Sequence, residues 1–374
     1  MIRRFLFTTL FIPAIALVAP PAAAFELADG RLNVGLTGGA AYARTDHNTF
    51  ARGDKEGQYD NTSLAVAIIG HVSDQLSVVG RFDIESQEDG AEIDWAFAEW
   101  KVNDALRLRA GMGKHAFGNY GEILEEGTLR PFFDVPHSMY GPANIAGEGY
   151  TGLGLTGFFR LGERWGLSYD LYGGELDVET SNALARIAAP ALNPAERFVI
   201  ETRDMIGARL GLEMPGGLVA RLSGYTGVEE EYGTVAEGVR HTAAAGSTEY
   251  LGESLTFRAE YAYMIEQNTE TTRAAYVEAA WLFGSGLQLA GRVEGSWSKI
   301  DGFTGSSPNL RHREAAVGLN YWFSPEFVLK ASYHLVDGNR FAFAPFPEDG
   351  TVPSPIPEAR ETTQLYLVGA QFSL

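Results

Sequence analysis

Leu76-Ser77-Val78-Val79-Gly80-Arg81-Phe82-Asp83-Ile84-Glu85 decides how the chain is read. One parity carries Leu, Val, Gly, Phe and Ile, and the other Ser, Val, Arg, Asp and Glu. A strand sends alternate side chains to opposite faces, so one face of this segment is apolar and the other charged. The same two-residue period returns in Leu106-Arg107-Leu108-Arg109-Ala110, in Trp165 to Leu171, in Leu255 to Tyr263 and in Leu287 to Trp297. The helical period is nowhere sustained. The longer segments hold the alternation for about nine to eleven residues, the reach a tilted strand needs to cross hydrocarbon, whereas strands of soluble sandwiches average about five or six.

The punctuation between segments is asymmetric. Short, turn-forming links such as Val72-Ser73-Asp74-Gln75, Asn103-Asp104-Ala105, Pro215-Gly216-Gly217 and Gly284-Ser285-Gly286 alternate with long polar loops such as Thr45 to Asp60, Gly227 to Glu237 and Val336 to Arg360. Short turns on one rim and long loops on the other describe an outer-membrane barrel. Strands are expected to start near Leu32, Thr62, Leu76, Ile93, Leu106, Thr151, Trp165, Met205, Leu218, Val239, Leu255, Ala274, Leu287, Glu314, Phe327 and Thr363. That set is even in number, about 16, as closure of an antiparallel barrel in a single bacterial chain requires. The Ile93 segment resists a parity, because Trp95, Phe97 and Trp100 do not share one. The final strand, Tyr366 to Leu374, places Tyr366, Val368, Ala370, Phe372 and Leu374 on one apolar face.

The fold class expected is therefore all-β, a transmembrane antiparallel β-barrel, to which the long link between the fifth and sixth strands adds an inward-folded constriction loop. Residues 1–24 join Arg3 and Arg4 to an apolar run and to Ala22-Ala23-Ala24, the layout of a cleaved signal peptide, leaving residues 25–374 as the barrel. The mature part holds no uncharged apolar run long enough for a helical span. Across 374 residues, 48 acidic side chains stand against 29 basic ones, for a net charge of −19, which argues against a nucleic-acid partner. The absence of cysteine removes disulfides and thiol chemistry. Neither a cofactor nor a metal is expected. Gly152-Leu153-Gly154-Leu155-Thr156-Gly157 matches the dinucleotide fingerprint but lies inside an alternating strand, where the motif carries no phosphate-binding meaning. Asn61-Thr62-Ser63, a formal glycosylation acceptor, is read as chance, and Glu229, Glu230 and Glu231 as a solvated loop tip.

The link between the fifth and sixth strands, about residues 115–149, is too long and too aromatic to be a plain connection. Phe117, Tyr120, Leu124, Phe132, Phe133 and Tyr140 need a dry place to pack, and a barrel of this size encloses a wide lumen. Gly111-Met112-Gly113-Lys114, Leu129-Arg130-Pro131-Phe132 and Pro136-His137-Ser138-Met139-Tyr140 resemble the corresponding stretch of the Gram-negative porin superfamily, whose sixteen-stranded members carry a constriction loop after the fifth strand. The closing Leu374, where most of that family has Phe, departs from the pattern.

The resemblance implies an outer-membrane homotrimer, embedded among lipid and lipopolysaccharide, that passes small hydrophilic solutes and ions. Carried onto this chain, it sets the loop acids Glu122, Glu125, Glu126 and Asp134 against Arg81, Arg107 and Arg109, with Arg258, Arg292 and Lys330 on the same inward parity farther along. Opposed charges across a narrowing sort permeants by charge and dipole. The plainer alternative lets the arginines satisfy interior acids such as Asp83, Glu260 and Glu294. A substrate-selective channel, a barrel hydrolase using Ser138 with His137 or Ser332 with His334, and a purely structural or adhesive barrel are the competing functions.

Overall fold

The computed structural model describes residues 25–27, 30–86, 90–140, 145–180, 198–230, 238–345 and 358–374. The expected cleavage point after Ala24 lies outside them. Sixteen long strands follow one another: β1 (Leu32–Thr45), β2 (Gln58–His71), β3 (Leu76–Glu85), β4 (Ala91–Asn103), β5 (Leu106–Lys114), β6 (Gly149–Leu161), β7 (Trp165–Thr180), β8 (Phe198–Glu213), β9 (Leu218–Glu230), β10 (Val239–Leu251), β11 (Leu255–Glu266), β12 (Glu270–Leu282), β13 (Leu287–Ile300), β14 (Arg311–Ser324), β15 (Phe327–Asp337) and β16 (Thr362–Ser373). Each pairs antiparallel with its sequence neighbour, and β16 pairs with β1 from Leu365↔Thr45 to Ser373↔Thr37, which closes the cylinder. Phe25–Leu27 folds back as a short hairpin arm on the start of β1. Among the described residues no helix is long and apolar enough to cross a membrane.

The two-residue period sorts the side chains as expected. Leu153, Ile206, Leu222, Val293, Val317 and Val368 stand outward at 58 to 69% exposure, while the intervening Arg81, Glu260, Arg292 and Glu294 are buried inside. A water-facing surface this apolar and continuous would aggregate, and a charge at mid-depth on a lipid face costs about 2 to 4 kcal/mol, so the same alternation suits hydrocarbon outside and polar groups within. Outward aromatics gather near both rims. Tyr321, Phe323 and Phe327 pack in series near the short turns, with ring centres 4.8 and 5.6 Å apart, and Tyr333 meets Tyr366 at 5.1 Å toward the long loops.

Several expectations change. The strands run from 9 residues in β5 to 16 in β7 and β8, longer than a bare span requires. The starts shift accordingly: β2 begins at Gln58 rather than Thr62, β12 at Glu270 rather than Ala274, β14 at Arg311 rather than Glu314, and β8 at Phe198 rather than Met205. In β8 the parity breaks at Asp204, which has a φ of 50°, and the register against both neighbours shifts there. The pattern above that irregularity was therefore hidden from a strict two-residue reading.

The unreadable parity of β4 has the same origin. Arg81 pairs with Trp95 but Phe82 pairs with Ile93, so Asp94 is an extra residue in a bulge. Ile93 and Trp100 consequently face outward at 53 and 49% exposure, while Trp95 and Phe97 lie inward with their rings 5.8 Å apart. The bulge also turns Asp94 inward, where it meets Lys114 and stands 3.4 Å from Arg81.

The inward side is not polar throughout. Tyr172, Leu176, Met205, Tyr225, Met264 and Tyr276 interrupt it on β7 to β12, and they bury Phe117, Tyr120, Met139, Tyr140 and Ile145 of the long link in one apolar cluster. A second cluster joins Phe50, Phe133, Phe341, Leu365 and Leu367. There the loops after β1 and β15 are tied by a ladder of two residues each, Thr49–Phe50 with Ala342–Phe343.

Gly152, part of the fingerprint-like stretch, has a packing role. It lies opposite Gly174, and a Cβ added to it would sit 2.8 Å from the Gly174 Cα. Replacing Gly152 with Val is expected to destabilise the folded barrel by about 1 to 3 kcal/mol through overpacking. Urea unfolding in detergent, followed by tryptophan fluorescence, checks this; an unchanged midpoint would refute the close-packing account.

Candidate functional site

Residues 115–148 leave β5 and return to β6 through a closed neck. The His115 N–H donates to the Glu148 carbonyl at 3.1 Å, and its Nδ1 lies 3.1 Å from the Gly147 carbonyl. The His115 ring packs on Phe117, Tyr172 and Tyr225, and this burial pushes its pKa down to about 3, so the imidazole is neutral. Among its described residues, 115–140 and 145–148, the segment has little regular structure of its own, a 3-10 turn at Gly127–Leu129 and one helical turn at His137–Tyr140. Its backbone groups are satisfied mainly by turns and by side chains that strands present from the inward parity.

Those anchors are specific. The Lys330 Nζ on β15 lies 2.7 Å from the Gly127 carbonyl, 2.5 Å from that of Arg130 and 3.2 Å from that of Phe132. Asn320 on β14 donates to the Pro131 carbonyl at 2.7 Å, and Arg292 on β13 to the Asp134 carbonyl at 3.0 Å. The Ser138 N–H donates to Glu294 at 2.7 Å. Tyr120 donates to Glu278 at 2.5 Å and accepts from Arg258 at 3.0 Å, with the guanidinium 4.9 Å from its ring centre. Tyr140 donates to Glu260 at 2.7 Å while accepting the N–H groups of Asn119 and Tyr120.

The acids of the segment turn the other way, toward β3, β5 and β8. Glu126 meets Arg81 at 2.6 Å, Glu125 meets Lys114 at 2.5 Å, and Glu122 is paired with Arg209, which also holds Asp170 at 2.8 Å. Asp134 is paired instead with Arg52, from the loop after β1, at 2.9 Å. Arg107 and Arg109 both engage Glu99 on β4, at 3.2 and 2.8 Å, and their side chains remain 37 and 30% exposed. Glu122 and Glu126 keep 37 and 28%.

Of the residues expected to face one another, some are brought together and others are not. Arg81 does meet a loop acid. Arg107 and Arg109 face the same side but neutralise a strand carboxylate, because Glu99 lies directly across the β4–β5 ladder from Arg109. Arg258, Arg292 and Lys330 lie on the expected parity but are each 2% exposed, covered by the segment they anchor. Arg292 lies 3.1 Å from Glu294 and Arg81 3.0 Å from Asp83, as in the plainer alternative, whereas Glu260 is held through Oε2 by Tyr140, Tyr276 and Asn119, its Oε1 making no hydrogen bond. Glu229 is no solvated tip: it is 2% exposed and paired with His241 at 2.8 Å. Asn61 is likewise buried on the inward face.

Sequence reasoning passed over Arg209, Arg221 and Lys114. The first two alternate with Ala208, Leu210, Ala220 and Leu222, so their parity was a usable signal. Arg52 and Asp94 carried none, one sitting in a loop and the other in a bulge.

Of the two serine-histidine pairs, one has a relay geometry. The Ser332 Oγ lies 2.8 Å from His334 Nε2, and His334 Nδ1 lies 2.7 Å from Glu314. These are nucleophile, base and acid spacings. The backbone around Ser332, however, is committed to ladders on both sides, with Gly318 and with Leu367, and offers no pair of N–H donors to a developing oxyanion.

Burial raises the pKa of the Glu122 carboxyl, but Arg209, assisted by Arg109 and Arg221, draws it net below the usual range. For Asp134 the opposing pull comes chiefly from Arg52 and gives the same net direction. A lowered folded-state pKa contributes stability above the ordinary carboxylate range and loses it as the pH falls through the lowered value. Protection of residues 119–127 from hydrogen exchange, relative to the unstructured rate at each pH, is therefore expected to hold at neutral pH and to be lost as the pH falls below the ordinary carboxylate range. Glu122→Gln should exchange faster already at neutral pH; equal protection in both proteins would show that the pair holds nothing in place.

No family model matches the chain, and no curated protein matches it in sequence. Solved structures do match its fold. The outer membrane channel DcaP of Acinetobacter baumannii superposes with a TM-score of 0.59 at 12% identity, covering 94% of this chain and 100% of its own. Salmonella typhi OmpF, in a complex with daunomycin, gives 0.58 at 15%, covering 94% and 100%. The anion-selective porin from Comamonas acidovorans gives 0.55 at 9%, covering 92% and 99%. At these identities the likeness is one of architecture, and the chain has the closed sixteen-stranded fold of outer-membrane porins.

Proposed function

We propose that the protein is an outer-membrane diffusion channel for small hydrophilic solutes and ions, narrowed by residues 115–148. The observation that carries this reading is the charged, partly exposed strip formed by Arg107, Arg109 and Arg209 with Glu99, Glu122 and Glu126, with the buried Arg81 holding Glu126. The rest of the loop is pressed against β7 to β16, so a permeant would pass along β3 to β5, with Arg209 of β8 at the border. Acids of the loop and guanidinium groups of the wall then set a transverse field that favours polar, hydrated species over apolar ones. The porin fold, the apolar outer belt and the aromatic rims support placement in the outer membrane, and the same fold supports a homotrimer. Outward Arg240, Arg273 and Arg313 near the long-loop rim suit contact with lipopolysaccharide phosphates.

Planar-bilayer recording tests the reading. Folded protein is expected to insert with stepwise conductance. Arg107→Ala combined with Arg109→Ala should shift the reversal potential toward cation preference, and Glu122→Gln with Glu126→Gln toward anion preference, each by about twofold or more in permeability ratio. Silent bilayers would exclude a pore.

A hydrolytic barrel is the second reading, favoured only by the Ser332–His334–Glu314 relay. Turnover of short-chain esters or phospholipid that disappears in Ser332→Ala would establish it. The expected result, given the missing oxyanion donors, is no turnover and unaltered conductance in that variant.

A further inference from the structure

Where Pro136 to Tyr140 turn against the wall, a group of buried side chains has no part in the proposed passage. His137 comes from the loop, Glu294 from β13, and His312 and Glu314 from β14. They are 6, 7, 0 and 4% exposed. One donor atom each from His137, Glu294 and Glu314 lies within 4.8 Å of the others.

The hydrogen bonding here is divided in an informative way. One oxygen of each carboxylate is held by a donor: Glu294 Oε2 by the Ser138 N–H, and Glu314 Oε1 by His334 and by Arg292 at 3.1 Å. The other oxygen of each makes no hydrogen bond, and neither do His137 Nδ1 or both ring nitrogens of His312. His312 Nε2 stands 3.5 Å from the idle Glu314 Oε2. Carboxylates fixed through one oxygen, with the other making no hydrogen bond (Glu294 Oε1 has only an ion-pair contact, 3.1 Å from Arg292 Nε) beside imidazole nitrogens that make none either, have the arrangement that outer-shell donors impose on metal ligands.

Charge points the same way. Glu294 and Glu314 share one guanidinium, Arg292, which also lies 3.7 Å from Glu278. Glu278 has a further cation in Arg258 at 3.6 Å, whereas beyond the shared Arg292 the other two carboxylates meet only imidazoles as ion-pair partners among the described residues, Glu314 having His334 at 2.7 Å and His312 at 3.5 Å. Buried charge persists only where it is paired.

We propose that His137, Glu294 and Glu314 bind one divalent transition-metal ion that fastens the loop to β13 and β14, with His312 beside Glu314. Mixed imidazole and carboxylate donors suit zinc and its first-row neighbours rather than calcium or magnesium. Metal–ligand bonds of about 2.0 to 2.2 Å place donor atoms roughly 3.4 Å apart, so closure requires small rotations of His137 and Glu294. A second convergence, Glu229, His241 and Glu266, lacks the decisive feature. Both nitrogens of His241 are occupied there, by Glu229 at 2.8 Å and by Tyr225 at 2.9 Å.

The proposal is independent of the pore reading and is tested without measuring conductance. Protein folded in detergent is stripped with EDTA, dialysed against zinc and analysed for metal content, with folding verified by heat-dependent electrophoretic mobility. About one zinc per chain is expected in the native protein and in a His47→Asn, His71→Asn control for surface histidines. His137→Asn and Glu314→Gln should weaken zinc binding about tenfold or more. Cobalt-loaded native protein should show visible ligand-field absorption that His137→Asn abolishes. Zinc no higher than in a chelated blank, or equal zinc in native protein and His137→Asn, overturns the site. Because His137 belongs to the loop and to no strand, its variant decides the matter even if Glu314→Gln fails to fold.

Discussion

Everything in this molecule answers to one requirement: a backbone facing hydrocarbon has to pair all its N–H and C=O groups internally. A sheet meets that condition only when it has no edge, and the ladder between β16 and β1 removes the edge. Closure in turn makes side-chain parity absolute. Once the strands are locked in register, each residue faces either lipid or lumen, and a one-residue slip would carry Arg81, Arg258 or Arg292 into the bilayer. The bulges at Asp94 and Asp204 show how such slips are contained, each absorbing one irregularity while the strand beyond it recovers its register with the neighbour.

A cylinder of this width leaves an interior that wall side chains cannot fill, and the described residues of the link, 115–140 and 145–148, pack against side chains of its inward parity. Two different kinds of attachment hold them. On the β7–β16 side the link is buried and its carbonyls are gathered by Lys330, Asn320 and Arg292, so hydrogen bonding and apolar packing act together in a dry setting. Along β3 to β5, and at Arg209 of β8, the contacts are ion pairs that remain partly wet, such as those of Glu122 with Arg209 and Glu126 with Arg81. Exposed pairs of this kind are individually weak and are screened by salt, whereas breaking a buried one leaves an uncompensated charge. The mechanical root of the loop is therefore on one wall, and its electrostatic face is toward the other.

The cluster of His137, His312, Glu294 and Glu314 belongs to the buried root. Unpaired donors and acceptors in such a place are costly unless something completes them. The neighbouring His334 and Ser332 orient Glu314 from behind, which gives the relay a structural meaning separate from hydrolysis.

What could be read from the chain alone was whatever depends on the two-residue period: the sheet, its closure from an even number of strands, the outward apolar belt, and the inward parity of Arg81, Arg107, Arg109, Arg258, Arg292 and Lys330. Parity is local, because successive Cβ atoms alternate whatever the rest of the fold does. Pairing is not local. Arg109 engages Glu99 because the β4–β5 register sets them opposite each other, and Arg52 finds Asp134 across 82 positions of sequence. Whether an inward arginine meets water or is roofed by the loop likewise depends on where an irregular segment settles, which no periodicity encodes. Only the tertiary structure could separate Arg107, which stays accessible, from Arg292, which does not, and only it could bring a loop histidine up to carboxylates on two strands.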